Sequence, residues 1–358
     1  MPPRPQTVAS GRWPETRGAT LAAVADGIRT VVDFGDPAEE HRSLVEACGL
    51  VDLGWLEGAK VSGADRRRFL NGYLTCEVAS LEPGQGSYGF LTEAKGRVLA
   101  DAVVAATGEE LRLLLPPNRR ETVIAHLRRF VLADRVGLEP TAREEVLGVV
   151  GPRAAATLGA AGLPAPEADW SCAELEERAV RVQRLGHRGL PAYALVVDTG
   201  RATEWAQRLI EADAVPAGWT ALETLRVEAG KPRFGADFGT ENLPQETGLE
   251  DAVSYTKGCY LGQEVVARLH YRGRPQRGLA GLEIDASRPP EPGAELRLEG
   301  QEVGTLGSAV ASLRWPGRIL GLAVVHRKAG EPGTELEIST GGGATVRPLP
   351  WTFDGGNP

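Results

Sequence analysis

Apolar and polar positions change their period several times along this 358-residue chain. After Asp36-Pro37 the spacing predicts a helix. Asp36 can cap it, Pro37 suits its first turn, Glu39 completes a capping pattern and Gly49 ends it. Residues 51–61 read as strand, and a helix is expected from about Ala64 to Leu74, with Phe69, Leu70 and Leu74 on one side. Pro83-Gly84-Gln85-Gly86 is a turn signal. Beyond it, segments 88–92, 97–106 and 110–115 alternate like a small antiparallel meander. A helix at about 118–130 follows, with Ile124, Leu127 and Val131 at helical spacing.

The second stretch is again mixed. Gly151-Pro152 opens a short Ala-rich helix, residues 177–185 and 192–198 read as strands, and 201–212 as an amphipathic helix. Trp219 to Ala229 reads as a helix stopped by Gly230 and Pro232. About 30 residues without helix or strand period come next, then a helix from about Gly262 to His270. Residues 278–340 change character: short strands at 279–284, 294–298, 302–313, 318–325 and 334–338 are punctuated by glycine and Pro-Gly, as in a separate all-β module. No internal repeat of fixed period is visible. The pattern predicts an α+β protein with a C-terminal β-barrel. A doubly wound parallel sheet is not expected, because no strand–turn–helix carries a Gly-rich phosphate fingerprint.

Composition narrows the function classes. Hydrophobic residues make up 42% and charged residues 25%, ordinary values for a globular protein with a sizeable core. No apolar run approaches the roughly 18–20 residues of a membrane helix. The net charge of −8 argues against general nucleic-acid binding, so no direct nucleic-acid partner is expected, although a local basic pocket is compatible with it. Residues 1–18 lack the apolar stretch of a secretory signal and read as a disordered tail. The four cysteines, Cys48, Cys76, Cys172 and Cys259, are scattered, with no Cys-x-x-Cys. Scattering fits reduced cytoplasmic thiols, at least three of them buried fillers, rather than disulfides or a metal site.

Candidate chemistry concentrates in Lys257-Gly258-Cys259-Tyr260-Leu261-Gly262-Gln263-Glu264, at the end of the irregular stretch. Long irregular loops in compact proteins are functional or disordered, and this one is rich in Tyr, Phe, Cys and Val. If residues 255–259 run extended, Lys257 and Cys259 face the same side. A nearby ammonium and a helix N-terminus would then favour the thiolate, the form that acts as nucleophile or metal ligand. The bland alternative is a buried Cys259 and a solvated Lys257. Next comes Arg268-Leu269-His270-Tyr271-Arg272-Gly273-Arg274-Pro275-Gln276-Arg277, a dense basic patch in an acidic chain. Arginine forks suit carboxylates and phosphates, so the segment is either a site for an anionic or nucleic-acid-linked partner or a solvated connector. His187, His270 and His326 stand isolated and read as structural or exposed.

Several strings resemble the folate-binding YgfZ/T-protein superfamily, and Lys257 to Glu264 resembles the signature of its YgfZ branch. The others are Leu50-Val51-Asp52-Leu53, Val61-Ser62-Gly63-Ala64-Asp65 with Phe69-Leu70, Pro83 to Tyr88, Leu225 to Pro232, Leu243-Pro244-Gln245-Glu246, and Gly304 to Ser308. The resemblance implies a three-domain, aminomethyltransferase-like ring around a central folate cavity. It divides the chain approximately into 19–135, 136–272 and a barrel at 273–358, the first two free to interleave. It also implies tetrahydrofolate as cofactor and iron–sulfur client enzymes as partners. The implied function is support of iron–sulfur cluster assembly or repair, with Cys259 as the key thiol, Lys257 its electrostatic support, and Asp101, Tyr88, Arg226 and Arg268 toward the cofactor. Asp101, Tyr88 and Arg226 also have plain alternatives as a solvent-facing carboxylate, a core aromatic and a helix anchor. Three departures separate the chain from the aminomethyltransferase pattern. Ala100 stands for one of two carboxylates, Leu190 for a pterin-holding glutamate, and Leu115-Pro116-Pro117 for a segment with an asparagine. Transferase or demethylase activity, and a non-catalytic folate-binding scaffold, remain as alternatives.

Overall fold

A computed structural model of the chain describes residues 19–24, 28–141, 144–186 and 191–353. The N-terminal stretch 1–18, His187 and Leu190 lie outside the described residues.

Strands β1 (Thr20–Ala23) and β2 (Arg29–Asp33) form an antiparallel ribbon that the sequence pattern did not signal. Helix α1 (Pro37–Glu46) starts where expected, with Asp36 Oδ1 accepting from the Ala38 and Glu39 amides. Its end differs from expectation. Ala47 closes it, and Gly49 instead opens β3 (Gly49–Asp52), where a Cβ would stand 2.2 Å from Leu44 Cδ2. The glycine therefore serves close approach of strand to helix. Glu39 pairs with Arg42, and the carboxylate turned back over the helix start is that of Glu40, which accepts from the Phe34 and Gly218 amides at 2.7 and 2.8 Å.

The chain continues through β4 (Glu57–Ser62), α2 (Arg66–Asn71), β5 (Gly86–Thr92), β6 (Val98–Ala106), β7 (Leu111–Leu115), α3 (Arg120–Arg128) and β8 (Gly137–Pro140). Next come β9 (Glu144–Val150), α4 (Ala154–Ala160), β10 (Cys172–Leu175), β11 (Val180–Leu185), β12 (Ala192–Asp198), α5 (Ala202–Glu211), β13 (Val215–Pro216) and α6 (Trp219–Glu228). The helices and the meander were anticipated to within a few residues. Strands β8, β9, β10 and β13 were not.

Two compact units emerge. The first takes the residues through Gly89 together with Asp101–Leu222; the second takes Phe90–Ala100, the far end of the β5–β6 hairpin, together with Glu223 onward. In the first unit a six-stranded sheet runs β10-β11-β12-β9-β3-β13, and β4, β7 and β8 sit in a five-stranded sheet of order β5-β6-β7-β4-β8. The six-stranded sheet mixes early and late strands: β3 lies between β9 and β13. Its core packs Leu50, Leu147, Val149, Val182, Tyr193 and Leu195 with Trp205 and Leu209 of α5.

In the second unit the segment between α6 and α7 (Gln263–Arg272) is irregular apart from two short 3-10 turns, Pro244–Glu246 and Glu250–Ala252. The expected β module is a closed barrel of order β14-β17-β16-β15-β18-β19. Its strands are β14 (Arg277–Asp285), β15 (Glu295–Leu298), β16 (Gln301–Ala311), β17 (Ile319–His326), β18 (Glu335–Ile338) and β19 (Gly343–Arg347). The sixth strand, β19, was hidden behind its glycines, yet it closes the barrel by pairing with both β14 and β18. Leu282, Leu296, Leu306, Val325 and Val346 fill the interior.

Candidate functional site

The Lys257–Glu264 loop belongs to the second unit and is held from several directions. Gly262 caps α7 at φ +85°, a left-handed conformation that suits glycine. A Cβ there would stand 2.5 Å from Glu93 O and 3.0 Å from Gly96 Cα, so the loop needs glycine to approach the hairpin end. Thr92 Oγ1 donates to Leu261 O at 2.5 Å, and Arg97 Nη1 donates to Glu241 O at 2.9 Å. Gln245, from the Leu243–Glu246 motif, donates its amide to Val266 O at 2.7 Å, while Glu246 accepts from Leu243 N at 3.1 Å. The ends of the loop are fixed. Its middle is open: Gly258 and Cys259 are exposed, and a Cβ on Gly258 would meet nothing within 4 Å.

The expected extended run does not form. The chain bends at 255–257, the Lys257 amide donates to Ser254 Oγ at 3.2 Å, and the Lys257 ammonium lies 5.4 Å from the centroid of the Tyr260 ring. Tyr260 is buried, and burial pushes its phenol well above the usual range. Lys257 thus has a cation–π partner in Tyr260, one residue beyond the Cys259 assumed for it. Cys259 differs from the other three cysteines. Cys48, Cys76 and Cys172 are buried and Cys259 is exposed. Burial raises Cys48, and it pushes Cys172 up to about 11, with the Arg181 charge opposing.

Arg226, Lys257, Cys259 and Arg268 fall in the second unit, while Tyr88 and Asp101 fall in the first. Arg226 is fully committed within its own unit. It donates to Glu223 at 2.9 and 2.5 Å, Asp237 Oδ2 at 2.7 Å, Ser308 Oγ at 2.5 Å and the Lys231 carbonyl. Burial raises the Asp237 carboxyl despite Arg226, whereas Arg226 and Arg233 hold Glu223 below its usual range against the same burial. Two motifs that looked independent meet here: Arg226 reaches Ser308, and a Cβ on Gly307 would stand 2.7 Å from Asp237. Glu228, two residues on, accepts at one oxygen from Ser312 Oγ, Leu313 N and Arg314 N.

Tyr88 and Asp101 do come together, on neighbouring strands. The phenol donates to Asp101 Oδ2 at 2.7 Å, and burial, then the Asp101 charge, raise Tyr88 well above its usual range. The Tyr88 ring stacks on Trp170 at 4.8 Å and 14°. Sequence reasoning missed Trp170. It sits at φ +64°, Gln183 donates to its carbonyl, and Gly86 and Gly186 leave no room for a Cβ against it. Arg268 is exposed on α7, and further along the same helix the His270 ring stacks on Tyr255 at 3.6 Å. Among the described residues no three His, Cys, Asp or Glu side chains gather as a metal site, and no helix is long and apolar enough to cross a membrane.

The GCVT N-terminal domain family matches residues 12–257, and the glycine cleavage T-protein C-terminal barrel domain matches 277–351. The tRNA-modifying protein YgfZ of Sodalis glossinidius (strain morsitans) is 29% identical over 302 residues, 82% of this chain and 90% of the relative. Its namesake in Yersinia pestis (strain Pestoides F) is 28% identical over 306 residues, 82% of this chain and 89% of the relative. Glycine cleavage system aminomethyltransferase T from Bartonella henselae shares the fold, with a TM-score of 0.85 at 24% identity over 94% of this chain and 95% of that one. With one matched domain covering residues 12–257 and the other covering the barrel, the chain belongs to the GCVT N-terminal domain family, as a relative of the YgfZ proteins.

Proposed function

We propose that this chain is a YgfZ-type, tetrahydrofolate-binding protein that supports assembly or repair of iron–sulfur clusters in client enzymes, with Cys259 as its working thiol. One observation carries the reading: Cys259 is the exposed cysteine among four, on a loop whose flanks are pinned and whose tip is open. Iron–sulfur clusters are held by thiolates, and an exposed thiolate can contact iron or sulfur on a partner, which a buried one cannot. The YgfZ relatives are named tRNA-modifying proteins, which supports enzymes that modify transfer RNA as the client class.

A reduced pterin offers N–H donors and a ring face. Asp101 is an acceptor for such donors, and the Tyr88–Trp170 pair is an aromatic surface beside it, so the donor set fits a folate. The Tyr88 hydroxyl orients the Asp101 carboxylate by donating to it. Bound tetrahydrofolate would supply a one-carbon carrier. Arg226 takes no part in this set, because its guanidinium is occupied by Glu223, Asp237 and Ser308. The rival reading, aminomethyl transfer, is weakened at Ala100, whose fully buried methyl stands where the transferase pattern has a carboxylate.

The test is Cys259→Ala in a strain lacking the native gene, scored by cluster content of client enzymes, beside tetrahydrofolate titration of the purified protein. Client clusters should be lost while folate affinity stays within twofold. Full client activity would remove Cys259 from the mechanism. Turnover with an aminomethyl-lipoyl carrier would favour the transferase.

A further inference from the structure

The basic segment at the end of α7 is larger in space than in sequence. Arg268, Arg272, Arg274 and Arg277 are all exposed, and none is in an ion pair among the described residues. Three arginines of the barrel behave differently: Arg297 pairs with Glu295, and Arg318 and Arg347 both pair with Glu283. The barrel adds two cations from far along the chain. Arg277 opens β14 directly opposite His326, and Gln276 O accepts from the Arg327 amide at 2.8 Å. That register sets the exposed Arg327 and Lys328 beside the segment, with Lys328 held by Gln301 Oε1 at 3.0 Å rather than by an acid. Glu250, whose charge bears on Tyr255, pairs with none of them.

Aromatic rings stand within this charge. Tyr271 is 67% exposed, a rare position for a large ring among the described residues. It lies edge-on to His270 at 4.9 Å and to Tyr255 at 6.3 Å, and those two rings are themselves stacked. Arg268 and Arg272, four apart on α7, project from one face of the helix. Unpaired guanidinium forks suit phosphate oxygens, and an exposed ring flanked by cations is a platform for an unpaired base. A purely acidic protein surface would use the charges and leave Tyr271 without a role.

We infer that the end of α7, the start of β14 and the 326–328 turn form a face that binds a single-stranded RNA loop, with arginines on the phosphates and Tyr271 stacked on a base. The net charge of −8 confines such binding to this face, and the inference departs here from the expectation of no direct nucleic-acid contact drawn from charge alone. Arg268, expected at the cofactor, belongs to this face. The inference deepens the transfer-RNA-linked reading of the client class, but it rests on the patch and not on Cys259.

Fluorescence anisotropy of a short labelled single-stranded RNA with the full-length protein, titrated across salt concentrations, tests it. Binding should weaken steeply with salt. Arg272→Gln and Arg327→Gln should each lower the log–log salt slope by roughly 0.7. Tyr271→Ala should weaken binding about tenfold, the worth of a stacked base, while Tyr271→Phe retains it. Arg297→Gln, outside the face, and Cys259→Ala should bind like the wild type. Absence of binding at low salt, or binding unchanged in the Arg272, Arg327 and Tyr271 variants, would overturn the inference. So would displacement by poly-glutamate as readily as by unlabelled RNA, because an acidic protein would then be the partner.

Discussion

Glu228 accepts three hydrogen bonds on one buried oxygen, and all three donors lie in the turn after β16. Its removal strands two amides and a hydroxyl, so Glu228→Ala should lower unfolding free energy by about 3–5 kcal/mol in urea denaturation. Arg226→Ala should cost a comparable amount by taking the ion-pair partner from buried Asp237 and leaving Glu223 with Arg233 alone, and Arg226→Lys should rescue little, since an ammonium cannot reproduce the fork. The cysteines give a sharper readout. A thiol reagent should label one group rapidly in the native protein and four after unfolding, and Cys259→Ala should abolish the rapid phase. Protons held by the native state give a pH dependence. Cys172 is raised from 9.0 to about 11, and Tyr88 is raised well above 10.0. Above those ordinary values the unfolded chain releases protons that the native chain keeps. The stabilisation is therefore complete below about pH 9 and is lost as pH rises toward 11 and beyond. Unfolding free energy should fall over that range, and Tyr88→Phe should flatten the fall above pH 10.

At the scale of elements, glycines separate pinned from open backbone. Gly262→Ala meets both a left-handed φ and Glu93 O at 2.5 Å, so it should cost about 2–3 kcal/mol and speed amide exchange through residues 261–266. Gly258→Ala, with open space and no left-handed φ, should stay within about 0.5 kcal/mol of wild type. Equal effects at the two positions would contradict the clamp. The helix starts were legible because capping is local chemistry: Asp36 was identified from its neighbours alone. Helix ends were less so. Gly49 looked like a stop signal, but its reason is Leu44 packed against the strand. Strand β19 was unreadable because Gly341 and Gly342, both at positive φ, make the turn that lets a short strand close the barrel.

For the whole molecule, the six-stranded sheet decides how the chain can be divided. Strand β3 pairs with β9 and β13, both beyond residue 135. A fragment of residues 19–135 should therefore lack cooperative unfolding by circular dichroism, since β3 would lose both neighbours and leave Leu50 uncovered. A cooperative transition in that fragment would show that the early strands form a domain on their own. Charge distributes on the same scale: an acidic chain carries a local concentration of cations near α7 that its net charge conceals.

The sequence by itself determined the α+β character, the separate barrel, the octapeptide with its two glycines and the family resemblance. All of these rest on period, capping and motif, which are properties of neighbouring residues. Tertiary structure alone decided what each functional residue touches. It placed Trp170 on Tyr88, spent Arg226 on Glu223, Asp237 and Ser308, turned Lys257 onto Tyr260, and brought Arg327 and Lys328 beside Arg277. The reason is physical: strand register and close backbone approach join segments far apart in the chain, and no local spacing encodes which partner a side chain will meet.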